Sequence, residues 1–139
     1  GIVGLLLGWA AFPVILVALA LQAVFFQFGG ITTLGVNTLI MALPAVVGYY
    51  LFSPLLRRGP AAAMTGAFAC GFIAVLLGGL IVALALMFTE EKFFEAAAAV
   101  VAAHVPIMII EGIVTTLCVA FLKKVQPSIL PGYSPKGVS

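Results

Sequence analysis

Two ionisable side chains, His104 and Glu111, lie inside a long apolar segment, where such groups are costly and usually face the protein interior. They are seven residues apart, so at about 100° per residue they share one face of a helix. Several interpretations fit this pair: metal binding, a proton relay, polar contacts between helices, and lining of a cavity or support of a nearby site. A rise of about 10 Å over seven helical residues disfavours one ion held directly by both side chains.

Catalytic patterns are missing from the rest of the chain. The sequence has no Ser/His/Asp set, no His-Glu-x-x-His, and no phosphate-binding Gly-x-x-x-x-Gly-Lys-Ser/Thr motif, and its adjacent Glu90 and Glu91 read as a solvated loop. Cys70 and Cys118 stand in apolar runs without Cys-x-x-Cys spacing, which predicts packing residues. We therefore expect no catalytic residues, no bound cofactor and no enzyme activity, and the chain cannot hydrolyse ATP by itself.

The composition indicates an integral membrane protein. Hydrophobic residues make up 65% of the chain and charged residues only 7%, whereas a soluble domain carries roughly 25% charged residues. Segments of about 20 apolar residues are typical of membrane-spanning helices. The sequence predicts an all-α protein with a transmembrane domain over residues 1–124, followed by a Pro/Gly-rich cytoplasmic tail over 125–139. The four predicted spans cover about residues 2–26, 37–52, 60–88 and 95–122.

The basic residues predict an orientation. Arg57 and Arg58 follow the second span, and Lys123 and Lys124 follow the fourth, so with four spans both pairs lie at one end of the bundle. Basic residues concentrate on the cytoplasmic side of membrane proteins. We therefore expect a multi-pass protein of the cell membrane with a cytoplasmic C-terminus, Gly1 on the same side, and the segment 28–38 facing outward.

The connection between the first two spans carries an uncharged polar pattern. It contains glycines, threonines and Asn37, and non-helical backbone at membrane depth needs protein or a water-filled cavity around it. We expect Thr32, Thr33 and Asn37 to be at least partly buried as cavity-lining residues, with hydrogen bonds that hold a turn at Gly29 and Gly30. Asn37 is also predicted to cap the second span.

Small residues predict close helix packing. Gly66, Cys70 and Ala74 recur at four-residue spacing in the third span, beside Ala67 and Gly71. The fourth span opens with four alanines over residues 96–99. Such residues let helix backbones approach closely, so the third and fourth spans are expected to pack tightly together.

Two motifs resemble those of the CbiM/NikM family, the substrate-binding membrane subunits of energy-coupling-factor cobalt and nickel transporters. The first is Leu-Gln-Ala at 21–23, then Phe-Gln-Phe-Gly-Gly-Ile-Thr-Thr-Leu-Gly-Val-Asn-Thr at 26–38, with Met41. The second is His-Val-Pro-Ile at 104–107, then Ile-Glu-Gly-Ile-Val-Thr at 110–115 and a basic pair near the last helix end. The two matches bracket most of the chain in family order.

The resemblance implies part of an ATP-driven importer of Co²⁺ or Ni²⁺, linked to cobalamin biosynthesis. It implies a seven-helix subunit whose C-terminal part the four spans resemble. The implied partners are a transmembrane coupling subunit and cytoplasmic ATPase subunits. The alternative is a free-standing four-helix membrane protein with a structural or assembly role.

The chain departs from the family pattern in its metal ligands. The family subunit begins Met-His, wraps its N-terminus back onto the metal and uses a further early His, whereas His104 is the only histidine here and Phe28 stands where many members have His. No direct metal ligand can therefore be carried onto this sequence. Cavity-lining or ligand-supporting roles remain for Thr32, Thr33, Asn37, His104 and Glu111. We expect the sequence to be a fragment, a split gene product or a chain with further residues upstream.

Overall fold

The computed structural model describes residues 1–26, 30–89 and 94–131, and the described part is helical throughout its regular structure. Its helices are α1 (Ile2–Leu7), α2 (Ala11–Phe26), α3 (Leu34–Leu56), α4 (Pro60–Thr89) and α5 (Phe94–Val125), with short 3₁₀ turns at Gly8–Ala10 and Pro127–Ile129. Four segments are long and apolar enough to cross a membrane: Ile2–Phe26, Leu34–Leu56, Pro60–Phe88 and Phe94–Val125. The predicted all-α membrane fold is confirmed.

The first predicted span is not one continuous helix. Gly4 packs against the backbone of Ala45, and Gly8 packs against the ring of Tyr49. Residue numbers increase in the same direction along both helices, from the Gly4–Ala45 contact to the Gly8–Tyr49 contact. Helix α1 therefore runs parallel to α3. The short connection after Phe26 makes α2 antiparallel to α3, and the chain therefore reverses direction between α1 and α2. The predicted first span over about residues 2–26 thus contains two α-helices joined at Gly8–Ala10.

Glycine at position 8 permits this reversal. Gly8 has φ 55° and ψ −124°, which is the conformation of the first central residue of a type II′ turn. A side chain at this position would be strained, and glycine adopts the conformation without a Cβ clash. Its backbone N–H still bonds to the Gly4 oxygen, so the turn closes the end of α1.

The second span begins three residues earlier than expected. Helix α3 starts at Leu34 after Thr33, and no side-chain hydrogen bond caps it. Asn37 therefore lies within the first turn, where its backbone N–H donates to the Thr33 oxygen at 2.9 Å. The prediction that Asn37 caps this helix is wrong, because the helix begins before it.

Helices α4 and α5 approach closely where glycines replace side chains. A Cβ on Gly71 would lie 2.6 Å from the backbone oxygen of Glu111, and a Cβ on Gly112 would lie 2.8 Å from the ring of Phe68. Tight packing of these two helices is confirmed. The small residues at four-residue spacing in α4 also face α3, since Gly66 packs against Leu55.

The basic residues gather at one end of the bundle. A buried apolar cluster joins α1, α3, α4, α5 and the turn after α5. Its buried members are Leu5, Leu56, Ala67, Cys70, Val119 and Leu130. Arg57 follows Leu56 and Lys123 follows the partly buried Leu122 of this cluster. The predicted common end of both basic pairs is therefore confirmed, while residues 132–139 of the predicted tail lie outside the described part.

Candidate functional site

A cavity of about 310 Å³ lies between α3, α4 and α5, and most of its lining is apolar. Its lining residues are Gly1, Ile40, Met41, Ala74, Val75, Gly78, Gly79, Val82, His104, Ile107 and Glu111. The seven-residue spacing places His104 and Glu111 on the same wall, and the other side chains of the lining are apolar. We name this space the His104–Glu111 cavity.

A backbone hydrogen bond fixes the imidazole of His104. Its Nδ1 lies 2.7 Å from the oxygen of Val100, one turn earlier on α5. A carbonyl oxygen only accepts, so in the neutral ring Nδ1 carries the proton and Nε2 keeps its lone pair. Gly79 leaves room for the imidazole, since a Cβ on Gly79 would stand 3.2 Å from Cγ of His104. Within the described ranges, no protein group bonds to Nε2.

Only one carboxylate oxygen of Glu111 has a hydrogen-bond donor among the described residues. Its Oε1 accepts a hydrogen bond from the nitrogen of Gly1 at 2.9 Å, which is an ion pair in this 139-residue chain. The side chain is 33% exposed, and in the part of the chain that the structure describes its second oxygen has no donor. Gly1 thus lies beside the middle of α5, and not at the basic end of the bundle as predicted. The oxygen of Gly1 in turn accepts a bond from the thiol of Cys70 at 3.9 Å.

Thr115 lies one turn after Glu111 on α5. Its hydroxyl is fully buried and has no hydrogen-bond partner among the described residues. The next residue, Thr116, makes the bond to the preceding turn that helical threonines can form, donating to the oxygen of Gly112 at 2.7 Å. The Thr115 hydroxyl instead faces α1 and α4, because a Cβ on Gly1 or Gly71 would stand 2.6 Å from it.

The threonines of the first connection are more open than predicted. Thr32 and Thr33 are exposed and Asn37 is half-buried, so the expected burial is wrong for both threonines. Both threonines precede Leu34, the first residue of α3. The predicted hydrogen bonds are present at Gly30, whose oxygen accepts from Thr33 Oγ1 at 3.3 Å, and Asn37 Nδ2 donates to that hydroxyl at 3.3 Å. Gly29 lies outside the described residues.

A second cavity adjoins the first and reaches this connection. It measures about 400 Å³, and its lining residues are Leu19, Gln22, Gly30, Leu34, Asn37, Ile40, Met41 and Val82. Ile40, Met41 and Val82 line both cavities. Gln22 and Asn37 line this cavity, and the ionisable pair lines the neighbouring one. The sequence marked Gln22 within a motif but did not select it as a lining residue.

The site offers acceptors without a complete set of metal ligands. Over residues 1–26, 30–89 and 94–131, no three His, Cys, Asp or Glu side chains come together as a group that could hold a metal. The free Nε2 of His104 and the free oxygen of Glu111 are both hydrogen-bond acceptors. The Gly1 ammonium lines the same cavity and pairs with Glu111, and the remaining lining side chains are apolar.

The fold and site define a membrane protein with four candidate spans and a cavity that His104 and Glu111 line. A family model described as "Cobalt uptake substrate-specific transmembrane region" matches residues 1–129. The chain belongs to this family, CbiM.

Curated relatives carry transport names. The chain is 36% identical over 135 residues to a "Putative metal transport protein" of Haemophilus influenzae, covering 94% of this chain and 65% of the relative. It is 34% identical over 139 residues to the "Cobalt transport protein CbiM" of Sorangium cellulosum, covering 94% and 61%. A shorter match to the "Fused nickel transport protein NikMN" of Rhodobacter capsulatus is 48% identical over 67 residues, covering 48% and 18%.

The chain therefore spans less than two thirds of the length of each of these relatives. No solved structure matches the chain significantly.

Proposed function

We propose that this chain is part of the substrate-specific membrane component of an ATP-driven energy-coupling-factor importer for Co²⁺ or Ni²⁺. The observation that carries the proposal is the family match over residues 1–129. The names of the relatives include cobalt transport and nickel transport proteins. The acceptor-lined cavity inside an apolar bundle supports the same function, because a cation crossing the membrane needs polar groups within it.

The energy for import comes from partners in this proposal. The sequence lacks a phosphate-binding loop, so cytoplasmic ATPase subunits hydrolyse ATP. A transmembrane coupling subunit couples this hydrolysis to movement of the metal ion. The end of the bundle that carries Arg57, Arg58, Lys123 and Lys124 faces the cytoplasm, as the distribution of basic residues favours. The C-terminus lies on that side of the cell membrane.

The chain lines the path of the metal without supplying its full ligand set. Co²⁺ and Ni²⁺ favour imidazole and other nitrogen ligands in a fixed geometry, and the chain has one histidine. Thr32, Thr33, Asn37, His104 and Glu111 line or border the cavities in this proposal. Direct ligands come from elsewhere in the importer.

Uptake of radioactive Co²⁺ and Ni²⁺ tests the function. Cells that lack their own importers for both metals express this protein with its coupling and ATPase partners. We expect metal accumulation that requires the protein and disappears when the phosphate-binding lysine of the ATPase is replaced. Equal accumulation with and without this protein, after its membrane insertion has been verified, would reject the function and favour the structural alternative.

A further inference from the structure

We propose that the end of the bundle that carries the two basic pairs binds an anionic phospholipid. The ammonium groups of Lys123 and Lys124 bind the lipid phosphate, and an exposed apolar stripe of α5 contacts an acyl chain. The proposal does not rest on the proposed function, because it concerns the lipid beside the protein and not the transported metal.

The positive charge at this end has no carboxylate side chain to balance it. Both basic pairs lie where Leu56 and Val119 join one buried cluster. The sequence has no aspartate or glutamate before residue 90 or after residue 111. Glu95 stands in the first turn of α5, and Glu111 lies about 18 Å along the helix from Lys123. An anionic group at this end therefore meets two arginines and two lysines without competition from an acidic side chain.

An exposed apolar stripe of α5 leads to the lysines. Leu117 and Phe121 are exposed, and they precede the exposed Lys124 by seven and three residues. Residues at these spacings share one face of a helix. A lysine near the end of a membrane helix lays its carbon stem along apolar surface and extends its ammonium group to the level of the lipid headgroups. The stripe and the lysine thus follow the order of an acyl chain and its phosphate, whereas an acidic protein segment at the membrane surface would contact the lysines alone.

A turn after α5 keeps the lysines beside the bundle. Helix α5 ends at Val125, a 3₁₀ turn follows at Pro127–Ile129, and Leu130 is buried in the cluster that also contains Leu56. The backbone N–H of Gln126 donates to the oxygen of Leu122 at 2.9 Å. Because Leu130 returns the chain to the bundle, the end of α5 is fixed near the end of α3, where the arginines add to the positive potential.

A single tryptophan on the stripe tests which lipid lies beside it. Trp9 is the one tryptophan of the chain, so Phe121→Trp in a Trp9→Phe background places the reporter on the exposed face of α5. The purified protein is reconstituted into phosphatidylcholine bilayers that contain increasing fractions of phosphatidylglycerol with brominated acyl chains, which quench tryptophan fluorescence on contact. Brominated phosphatidylcholine supplies the neutral comparison. Both leaflets hold the same lipids, so the result does not depend on orientation.

The reporter should show a preference for phosphatidylglycerol. Each lysine or arginine near a membrane surface contributes about fivefold to the attraction of anionic lipid, so we expect a preference of at least about tenfold at low salt. Replacing Lys123→Gln and Lys124→Gln together should lower this preference at least about fivefold. Lys123→Arg with Lys124→Arg should retain it, because the charge is kept. Arg57→Gln with Arg58→Gln should lower it by a smaller factor, since their charge acts from another helix.

Phe88→Trp in the Trp9→Phe background is the matched control. Phe88 is also an exposed aromatic residue, and it lies at the opposite end of the bundle, one residue before the end of α4. A tryptophan there should be quenched equally by both lipids, and circular dichroism should show that every variant is as helical as the parent protein.

Three results would overturn the proposal: equal quenching by the two lipids at position 121, the same preference at position 88, or a preference that survives loss of both lysine charges. Equal quenching at position 121 would favour an acidic protein segment as the partner of the basic end. A preference lost only in the arginine variant would overturn the assignment of the phosphate to the lysines of α5. Lipid preference in a protein that fails to accumulate metal in cells would reject the proposed function and leave this site standing.

Discussion

Gly71 of α4 lies directly against the backbone of Glu111 on α5, so that a Cβ at position 71 would stand 2.6 Å from the Glu111 oxygen. The same Cβ would stand 2.6 Å from Oγ1 of Thr115. The absence of a side chain at Gly71 therefore sets how closely α4 approaches the segment of α5 that carries the polar site.

Gly71→Ala should destabilise the protein by about 1–3 kcal/mol, the usual cost of forcing extra atoms into a packed interior. The new methyl group meets backbone, which cannot move aside as a flexible side chain can. Gly35→Ala is the control, because Gly35 lies in α3 with nothing near its Cβ position, and alanine favours helix by up to about 1 kcal/mol. Unfolding in detergent, followed by circular dichroism, measures both. Equal stability of the two variants would contradict the close approach.

Gly8→Ala should also destabilise the protein, for a different reason. The backbone angles of Gly8, φ 55° and ψ −124°, strain any residue with a Cβ, and such strain costs about 1–3 kcal/mol. Its Cβ would additionally meet the ring of Tyr49 at 3.3 Å. Combining Gly8→Ala with Tyr49→Ala relieves the contact and leaves the strain. If the double variant is no less stable than Tyr49→Ala alone, the turn conformation at Gly8 is wrong.

The helices could be predicted from the sequence because apolar length alone signals a membrane span. The spacing of His104 and Glu111 was also sufficient to place both side chains on one face, and both line one cavity. The reversal at Gly8 could not be predicted from hydropathy, because residues 2–21 form one apolar run. Hydropathy cannot distinguish one span from two helices joined by a turn, and glycine is too frequent in membrane helices to mark a break.

The polar details depended on contacts between distant parts of the chain. Nothing near Thr115 in the sequence shows that α1 and α4 press against its hydroxyl, whereas Thr116 forms the local bond expected of a helical threonine. The burial of Thr32 and Thr33 was overestimated for a related reason. Composition identifies a segment that avoids charge, but whether a neighbour covers it depends on the tertiary arrangement of the helices.

Cysteine labelling tests the orientation. In a background with Cys70→Ala and Cys118→Ala, Arg58→Cys and Thr32→Cys place single thiols at exposed positions at opposite ends of α3. A membrane-impermeant maleimide added to intact cells should label the chain at position 32 and not at position 58. Permeabilised cells supply the control, in which both react. Labelling at 58 alone in intact cells would reverse the topology.

Asn37→Leu should reduce metal uptake in the reconstituted importer. Asn37 is half-buried, lines the cavity of about 400 Å³ and donates to the hydroxyl of Thr33. The hydroxyl then loses this partner, and leucine places an apolar group where the cavity has an amide. A hydrogen bond of this kind contributes about 0.5–1.5 kcal/mol, so the fold should persist while transport falls.

Leu39→Ala is the matched control, because Leu39 is an exposed residue on the same helix that lines neither cavity. Initial rates of radioactive Co²⁺ uptake, normalised to the amount of protein in the membrane, compare the two variants. We expect a loss in Asn37→Leu and near-normal uptake in Leu39→Ala. Normal uptake in Asn37→Leu would show that the amide is not part of the path, and equal losses in both would assign the effect to packing of α3 against its neighbours.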